Sequence, residues 1–532
     1  MADSRAPATE SGGRIGGRGV LVVVIGLLFP MLLGALDQTV VSTAMWTITK
    51  ELDAANGFAT MSWVMTAYVL AATVTMPLYG KFSDQFGRKR VYLFCVTVFL
   101  IGSLLCGLAQ TMGQLIATRA IQGAGTGGIL SLTIAIIADL IPPRERGKWQ
   151  GLFVGLMMLA DVLGPLVGGF FTEGHHFLGT TVTWRWAFYL NVPLGILAII
   201  VVSTVLRLPA ERHHRHRIDF LGAGLLVLGT CAVLLVSEWA GSSYSWSSAP
   251  ILGLLIGGIV LLALFFGYER RAAEPIIAPK LFRNPVFTVS NLIGFLVGFG
   301  LFGSIVYIAL FLQLARGMTP TQAGLNLVPM TFGTTVAAIV SGRLTSKLGR
   351  CKPFAVLGTA IAGVGLLLLG LFLRGDMSLV LLGVCTFVLG LGLGTVMQIP
   401  ILAVQNAVDL EDIGTATATT TFSRSLGQAF GPVVAGAILT GLFTTQLAAS
   451  GRANPLTNGD ISSISSLPTG QQHTVLDAYA SSASSLFLIM AAVMGAAFLV
   501  SLAMKDLPLR GEDEPQSAER TAVPGDSGSI EA

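Results

Sequence analysis

Long apolar runs separated by short polar breaks dominate this chain. A helix that crosses a bilayer needs roughly 20 mostly apolar residues. Fourteen runs fit that requirement: 20–45, 58–80, 91–110, 113–137, 149–171, 186–206, 219–240, 249–268, 286–311, 320–341, 353–373, 377–402, 414–442 and 484–504. The pattern predicts an all-α polytopic membrane protein. Residues 1–19 read as a polar, glycine-rich tail without the apolar centre or cleavage site of a signal peptide, so the first run is expected to stay as an anchor. The stretch 443–483, rich in Ser, Thr, Gly, Asn and Gln, reads as a long extracytoplasmic loop, and the acidic, proline-containing segment 505–532 as a disordered tail.

One polar break is repeated. Gly80-Lys-Phe-Ser-Asp-Gln-Phe-Gly-Arg-Lys-Arg90 returns in weaker form as Gly342-Arg-Leu-Thr-Ser-Lys-Leu-Gly-Arg-Cys-Lys352. Glycine holds the first and eighth positions of both copies, with a base at the second and ninth; Ser346 stands where the first copy has Asp84. The copies lie 262 residues apart, which at about 33 residues per span is eight spans rather than six. Two spans, most simply the seventh and eighth, are therefore inserted between parallel six-span halves, giving a 6 + 2 + 6 arrangement. The expected units are a bundle over 20–206, a basic loop with two inserted spans and a linker over 207–285, and a second bundle over 286–504.

Composition agrees with the hydrophobic pattern. The 532 residues are 53% hydrophobic and 11% charged, against about 25% charged in soluble proteins. Threaded through fourteen spans, 25 of the 32 lysines and arginines fall on one side, five on the other, and Arg119 and Arg424 lie inside spans. The excess of basic residues predicts that both termini are cytoplasmic. No basic run is long enough for nucleic-acid binding. The five cysteines are scattered without metal-ligand spacing, and the histidines of 207–217 read as part of a solvated basic anchor. No nucleotide-binding P-loop and no covalent catalytic constellation is present, which argues against ATP-driven pumping and enzymatic chemistry.

Charges inside lipid are costly and mark functional candidates. Asp37 lies roughly 28 Å along its span from Arg18, and Arg119 roughly 30 Å along the opposite-running fourth span from Asp139. They share a depth and can pair directly or through water, as a proton-coupling element or as a structural ion pair. Asp161 lies near the midplane, with proton carriage, substrate contact and a packing hydrogen bond all open. Around it, Gly155, Gly164, Pro165, Gly168 and Gly169 combine a bend with a small-residue face that admits a neighbouring helix. Trp63, Tyr68, Gln122, Gln313 and Arg424 are candidates for lining a central cavity, while Glu238 is expected at the membrane interface. In the first polar break, Gly80, Asp84, Gly87, Arg88, Lys89 and Arg90 form a candidate cytoplasmic gate. Asp84 is expected near the start of the third span, and the bases are expected to reach acidic groups of the other half, with Asp139 and the loop Arg144-Glu-Arg-Gly147 as nearby candidates.

Together these features resemble the major facilitator superfamily, and more closely its fourteen-span drug:proton antiporters of the QacA/EmrB type. Gly80–Arg90 is similar to that family's loop between spans 2 and 3. Leu36-Asp-Gln-Thr-Val-Val41, Arg119-Ala-Ile-Gln-Gly-Ala-Gly125 and Gly164-Pro-Leu-Val-Gly-Gly169 resemble its signatures in spans 1, 4 and 5. Trp184-Arg-Trp-Ala-Phe-Tyr-Leu-Asn-Val-Pro193 and Glu274-Pro with Leu281-Phe-Arg-Asn resemble features of the fourteen-span group. The resemblance implies a monomeric secondary exporter of apolar or cationic drugs in a bacterial inner membrane. It would use no cofactor and be driven by the proton-motive force, with Asp37 and Arg119 in proton coupling; Asp161 is outside the family's span 5 pattern and enters as a second carrier or substrate-facing acid from its place in the membrane alone. Export of an endogenous lipid or metabolite on the same fold, and a non-transporting receptor or assembly subunit, are the alternatives.

Overall fold

The computed structural model describes residues 17–52, 57–172, 176–177, 180–181, 183–206, 219–240, 244, 248–272, 274–318, 320–449 and 469–509. Residues 1–16, the histidine-bearing loop 207–218, and segments 450–468 and 510–532 lie outside them. The chain is helical almost throughout. In order run α1 (Gly17–Leu52), α2 (Gly57–Phe86), α3 (Arg88–Leu108), α4 (Met112–Leu140), α5 (Pro143–Thr172), α6 (Arg185–Val205), α7 (Phe220–Trp239) and α8 (Ala249–Glu269). Then come α9 (Pro285–Arg316), α10 (Pro320–Leu325), α11 (Val328–Leu348), α12 (Lys352–Phe372), α13 (Leu379–Val396), α14 (Ile399–Ala407), α15 (Ile413–Ala449) and α16 (Thr469–Leu502). The exception to the all-α expectation is a small antiparallel hairpin, β1 (His176–Phe177) with β2 (Thr180–Thr181), between α5 and α6.

Among the described residues twelve helices are long and apolar enough to cross a membrane. The predicted spans at 149–171 and 219–240 correspond to α5 and α7, both of which include side chains outside the described residues; the described part of α7 gives a shorter apolar helix, Phe220–Val236. Large apolar side chains such as Phe94, Ile101, Ile196, Ile200, Leu264, Val380 and Leu499 are exposed. On a soluble protein so much exposed apolar surface would be a liability; on a multi-pass membrane protein it is the lipid-facing surface. The two most populous of six apolar clusters among the described residues lie one in each group of helices. Leu27, Tyr92, Phe99 and Leu132 belong to the one formed by the early helices, and Phe311, Leu366, Leu389 and Phe487 to the one formed by the late helices.

Three predicted boundaries move. The span at 377–402 is two helices, because Pro400 has no N–H to bond back one turn and its ring crowds the preceding turn, so the chain breaks at Met397–Gln398. The predicted loop at 443–483 is partly helical: α15 runs to Ala449 and α16 begins at Thr469. Its polar composition was misleading because the polar groups satisfy one another between helices. Gln446 donates to Ser481 at 3.1 Å and accepts from Ser482 at 3.1 Å, while Leu447, Val475 and Tyr479 are buried between the two rods. The start of the predicted disordered tail is docked. The Leu509 amide donates to the Gly349 carbonyl at 2.8 Å, Asn406 donates to the Pro508 carbonyl at 3.0 Å, and Met504 and Leu509 pack on Cys351 and Phe354.

The repeated polar break is visible in the backbone. Most of each copy is helical, and the chain leaves the helix at the eighth-position glycines, Gly87 (φ 91°) alone in the first copy and Gly349 (φ 69°) with Arg350 and Cys351 in the second. A side chain would strain both conformations.

Candidate functional site

Two polar clusters stand out, one within the first helix group and one across the groups. The first is built on Asp37 of α1. Its Oδ2 pairs with Nη1 of Arg119 on α4, and its Oδ1 accepts from Gln122 Nε2 at 3.0 Å and from Asn191 Nδ2 at 3.0 Å. Gln122 follows Arg119 by three residues, so both project from one face of α4, and Gln122 Oε1 accepts from Arg119 Nη1 at 2.9 Å. Asn191 on α6 also donates to Ser103 of α3 at 3.0 Å, and Ser103 donates to the Phe188 carbonyl at 2.9 Å. The Tyr68 ring covers the guanidinium, with Arg119 Cζ 4.1 Å from its centroid. The Tyr68 hydroxyl lies 2.9 Å from Thr126 Oγ1 and donates to the Gly34 carbonyl at 3.2 Å.

Both charged side chains are shut off from solvent, at 0% exposure for Arg119 and 1% for Asp37. Removing two charges from water costs several kcal/mol per ion, which their attraction offsets only when the remaining donors and acceptors are satisfied. Here each carboxylate oxygen has at least one donor, and the pair carries no net charge. A proton added to Asp37 would leave the Arg119 charge without its counter-ion. The cluster ties α1, α4 and α6 together through one carboxylate.

Asn191 is the member that sequence reading did not single out as a site residue. Its signal was present: it is the lone carboxamide in an otherwise apolar run on α6. Of the candidate cavity residues, Tyr68 and Gln122 join this cluster. Trp63 does not; it stacks edge-on with Trp239 of α7, ring centroids 5.9 Å apart. Near it Glu238 accepts from Thr66 at 2.6 Å, fastening α7 to α2. Gln313 donates to the Ala309 carbonyl of its own helix at 3.3 Å, and Arg424 on α15 donates to the Met397 carbonyl at 3.3 Å. Asp161 lies within α5, and its side chain lies outside the described residues.

On α5, Gly164 and Gly168 face α1, where an added Cβ would run into Thr39 and Thr43 respectively, and Thr39 Oγ1 donates to the Ala160 carbonyl at 3.2 Å. Gly155 and Gly169 face open space. The helix runs through Pro165 without interruption.

The second cluster is at the end of the bundle that carries the polar breaks. Asp84 is not at the start of the third helix but near the end of α2, three residues before Gly87. Its Oδ2 accepts from the Thr415 amide at 2.7 Å and the Thr415 hydroxyl at 2.8 Å. The helix whose N-terminal dipole it meets is thus α15, in the other half. Arg88 and Lys89, expected to reach the other half, make the following contacts in their own, and Arg88 takes the nearby candidate Asp139. Arg88 Nε pairs with Asp139 at 2.6 Å, with a looser contact to Asp84 at 3.5 Å, and Lys89 Nζ donates to the Ser203 and Leu206 carbonyls at 2.7 and 2.8 Å, at the end of α6. The reversal has a simple cause: free carbonyls and an acid lie near the bases, whereas the opposing α15 presents amide donors that select the acid.

Glycines permit the close approach. Gly80 meets Gly414 and Ala418, and Gly342, the matching glycine of the second copy, meets Gly147. Arg146 donates to the Ile141 carbonyl at 2.8 Å and also reaches the Gln405 carbonyl at 3.5 Å. The two halves are therefore in tight contact at this end.

A profile described as Major Facilitator Superfamily matches residues 27–223 and again 218–432. The chain belongs to the major facilitator superfamily. The superfamily match comes with curated relatives of similar length. Multidrug resistance protein 3 of Bacillus subtilis (strain 168) is 36% identical over 483 residues, covering 88% of this chain and 91% of that protein. Multidrug transporter protein MdtP of the same organism is 35% identical over 420 residues, 79% of this chain and 75% of that protein. Among solved structures, the proton:xylose symporter XylE bound to 6-bromo-6-deoxy-D-glucose superposes with a TM-score of 0.60 at 14% identity, covering 92% of this chain and 96% of that chain, which concerns the fold alone. This superfamily member is a multi-pass membrane transporter and not an enzyme.

Proposed function

We propose that this transporter is a proton-coupled antiporter that exports apolar or cationic toxic compounds by alternating access. We place it in a bacterial inner membrane as a monomer with fourteen spans and both termini cytoplasmic. The positive-inside count supports that orientation, and the multidrug names of the Bacillus relatives support the substrate class. The observation that carries the coupling is the sealed Asp37–Arg119 pair with Gln122 and Asn191.

In this reading Asp37 takes a proton from outside and loses it inside, and Arg119 exchanges its hold on the carboxylate as it does so. Asp161 is a second carrier or a substrate contact. Inward movement of a proton releases about 2.3 kcal/mol per 100 mV, to which a pH gradient adds. The contact of Asp84 with Thr415 of α15 and the glycine contacts act as the inner gate, which opens as the carboxylate reloads. Spans 7 and 8, braced on α2, lie outside the transport path.

The test is uptake by inverted vesicles energised with a proton gradient, comparing wild type with Asp37→Asn. The variant should be present in the membrane and inactive in gradient-driven transport. Normal gradient-driven transport by Asp37→Asn would remove Asp37 from the mechanism.

A further inference from the structure

The late half holds a buried polar site that the proton-coupling reading does not use. Arg424 projects from α15, and its only hydrogen bond among the described residues is the 3.3 Å contact from Nη1 to the Met397 carbonyl. Its Nε is buried without a partner. No carboxylate among the described residues pairs with this guanidinium, in contrast to the tightly held Arg119. The residue after Met397 is Gln398, which is 7% exposed, and neither its Oε1 nor its Nε2 has a partner. Arg424 on α15 and Gln398 at the α13–α14 break, the residue after the carbonyl that Arg424 reaches, thus carry three unsatisfied buried polar atoms between them. Buried polar atoms without partners are costly, so an arrangement of this kind points to a bound group that completes it.

The backbone adds to the same sign of charge. Gln398 sits at the break between α13 and α14, and α14, nine residues long, begins there with no side-chain cap. Helix N-termini favour anions, and discontinuous helices in transporters aim such ends at anionic substrate groups. The site also lies at a suitable depth. Arg424 is nine residues beyond Thr415, about 13 Å above the closed end, and Gln398 is seven residues from Gln405, about 10 Å above it. Ser425, next to Arg424, meets Met76 of the first half at 3.8 Å, so this part of α15 lies along the seam between the halves.

We propose that Arg424 and Gln398 form a substrate subsite for an anionic oxygen group, a carboxylate above all, so that the exported compounds include amphiphilic organic acids and zwitterions. The guanidinium fork offers two N–H groups in the geometry a carboxylate accepts, and the Gln398 amide adds a third donor. Its carbonyl accepts from a hydroxyl or amine on the same compound. An unpaired guanidinium at this depth disfavours purely cationic compounds. The inference rests on the export reading and, at this subsite, moves its substrate class from purely cationic to anionic and zwitterionic amphiphiles.

The experiment is equilibrium binding to purified full-length protein in phosphatidylcholine nanodiscs at neutral pH. Three fluorescent probes share one skeleton: a dansylaminohexanoate, its methyl ester, and the matching trimethylammonium compound. Wild type should bind the carboxylate at least tenfold more tightly than the ester. Arg424→Gln should lose that preference while changing ester binding less than threefold. Arg424→Lys should keep part of it, and Gln398→Ala should weaken the carboxylate alone by about threefold. Size-exclusion profiles and thermal transitions establish that the variants fold; should Arg424→Gln fail to fold, Arg424→Lys and Gln398→Ala carry the test.

Equal binding of carboxylate and ester by wild type, or an equal loss of all probes in Arg424→Gln, would overturn the proposal. Displacement of the carboxylate by added phosphatidylglycerol, but not by free hexanoate analogues, would assign the site to a lipid headgroup and overturn it as a substrate site. Because no gradient is applied, Asp37→Asn should keep the carboxylate preference. A preference that survives while Asp37→Asn still transports would sink the coupling reading and leave this one standing.

Discussion

Asp84→Asn isolates the contact by which one half holds the other. The carboxylate receives two hydrogen bonds from Thr415, at 2.7 and 2.8 Å, on the first turn of α15. Hydrogen bonds to charged groups contribute about 1.5–3 kcal/mol each, against about 1 for neutral ones, and an acid at a helix N-terminus adds about 0.3–1 kcal/mol. Both bonds end on Oδ2, so the asparagine oxygen can keep both, but each falls to neutral strength and the dipole contribution is lost. The closed state should weaken by about 2–3 kcal/mol, which shifts the closed-to-open ratio by about 30- to 150-fold. The reporter is Thr417→Cys, at a position with 0% exposure in α15 beside Gln405, in a background with the five native cysteines replaced. Labelling by a membrane-permeant maleimide samples the open fraction. The rate should rise by one to two orders of magnitude with Asp84→Asn and much less with Lys89→Gln, whose bonds stay within one half. An unchanged rate in Asp84→Asn would refute the idea that this acid holds the halves together.

Three further outcomes follow from particular contacts. Asn191→Leu removes a donor to Asp37 and one to Ser103, and should lower stability by about 1–3 kcal/mol and slow gradient-driven export, measured by thermal melting and vesicle transport together. Gly164→Ala should destabilise by about 1–3 kcal/mol because its Cβ meets Thr39, whereas Gly155→Ala, facing open space, should be neutral or stabilising by up to about 1 kcal/mol; melting curves that rank the two the other way would contradict the packing of α5 on α1. Burial pushes the Cys351 thiol up to about 12, so it should resist maleimide at pH 8. Deleting residues from Lys505 onward removes Leu509 from its cover and should speed its labelling; intact-protein mass spectrometry reads the change.

Much of the fold was legible because lipid imposes a strong and simple rule: apolar runs of sufficient length become helices. Even the duplication could be read from the glycines at 80, 87, 342 and 349, each of which meets a close neighbour or takes a positive φ. The pairing of Asp37 with Arg119 was also within reach, since depth along a helix follows from residue count. Composition failed where polar residues serve packing: the Gln446–Ser481 and Gln446–Ser482 bonds turn part of an expected loop into helix, and the Pro508–Leu509 segment docks by backbone bonds that carry no side-chain signature.

What the sequence alone determined about this protein is therefore its class, its helices, and the few charged residues that lipid makes costly. Only the tertiary structure decided the partners. Asn191 joins Asp37 from 154 residues away, Asp84 crosses to Thr415 from 331 residues away, and the bases beside it turn back to their own half. Hydropathy and spacing fix how deep a residue sits. Which way its helix is rotated, and which donors lie opposite, depends on packing against every other helix at once.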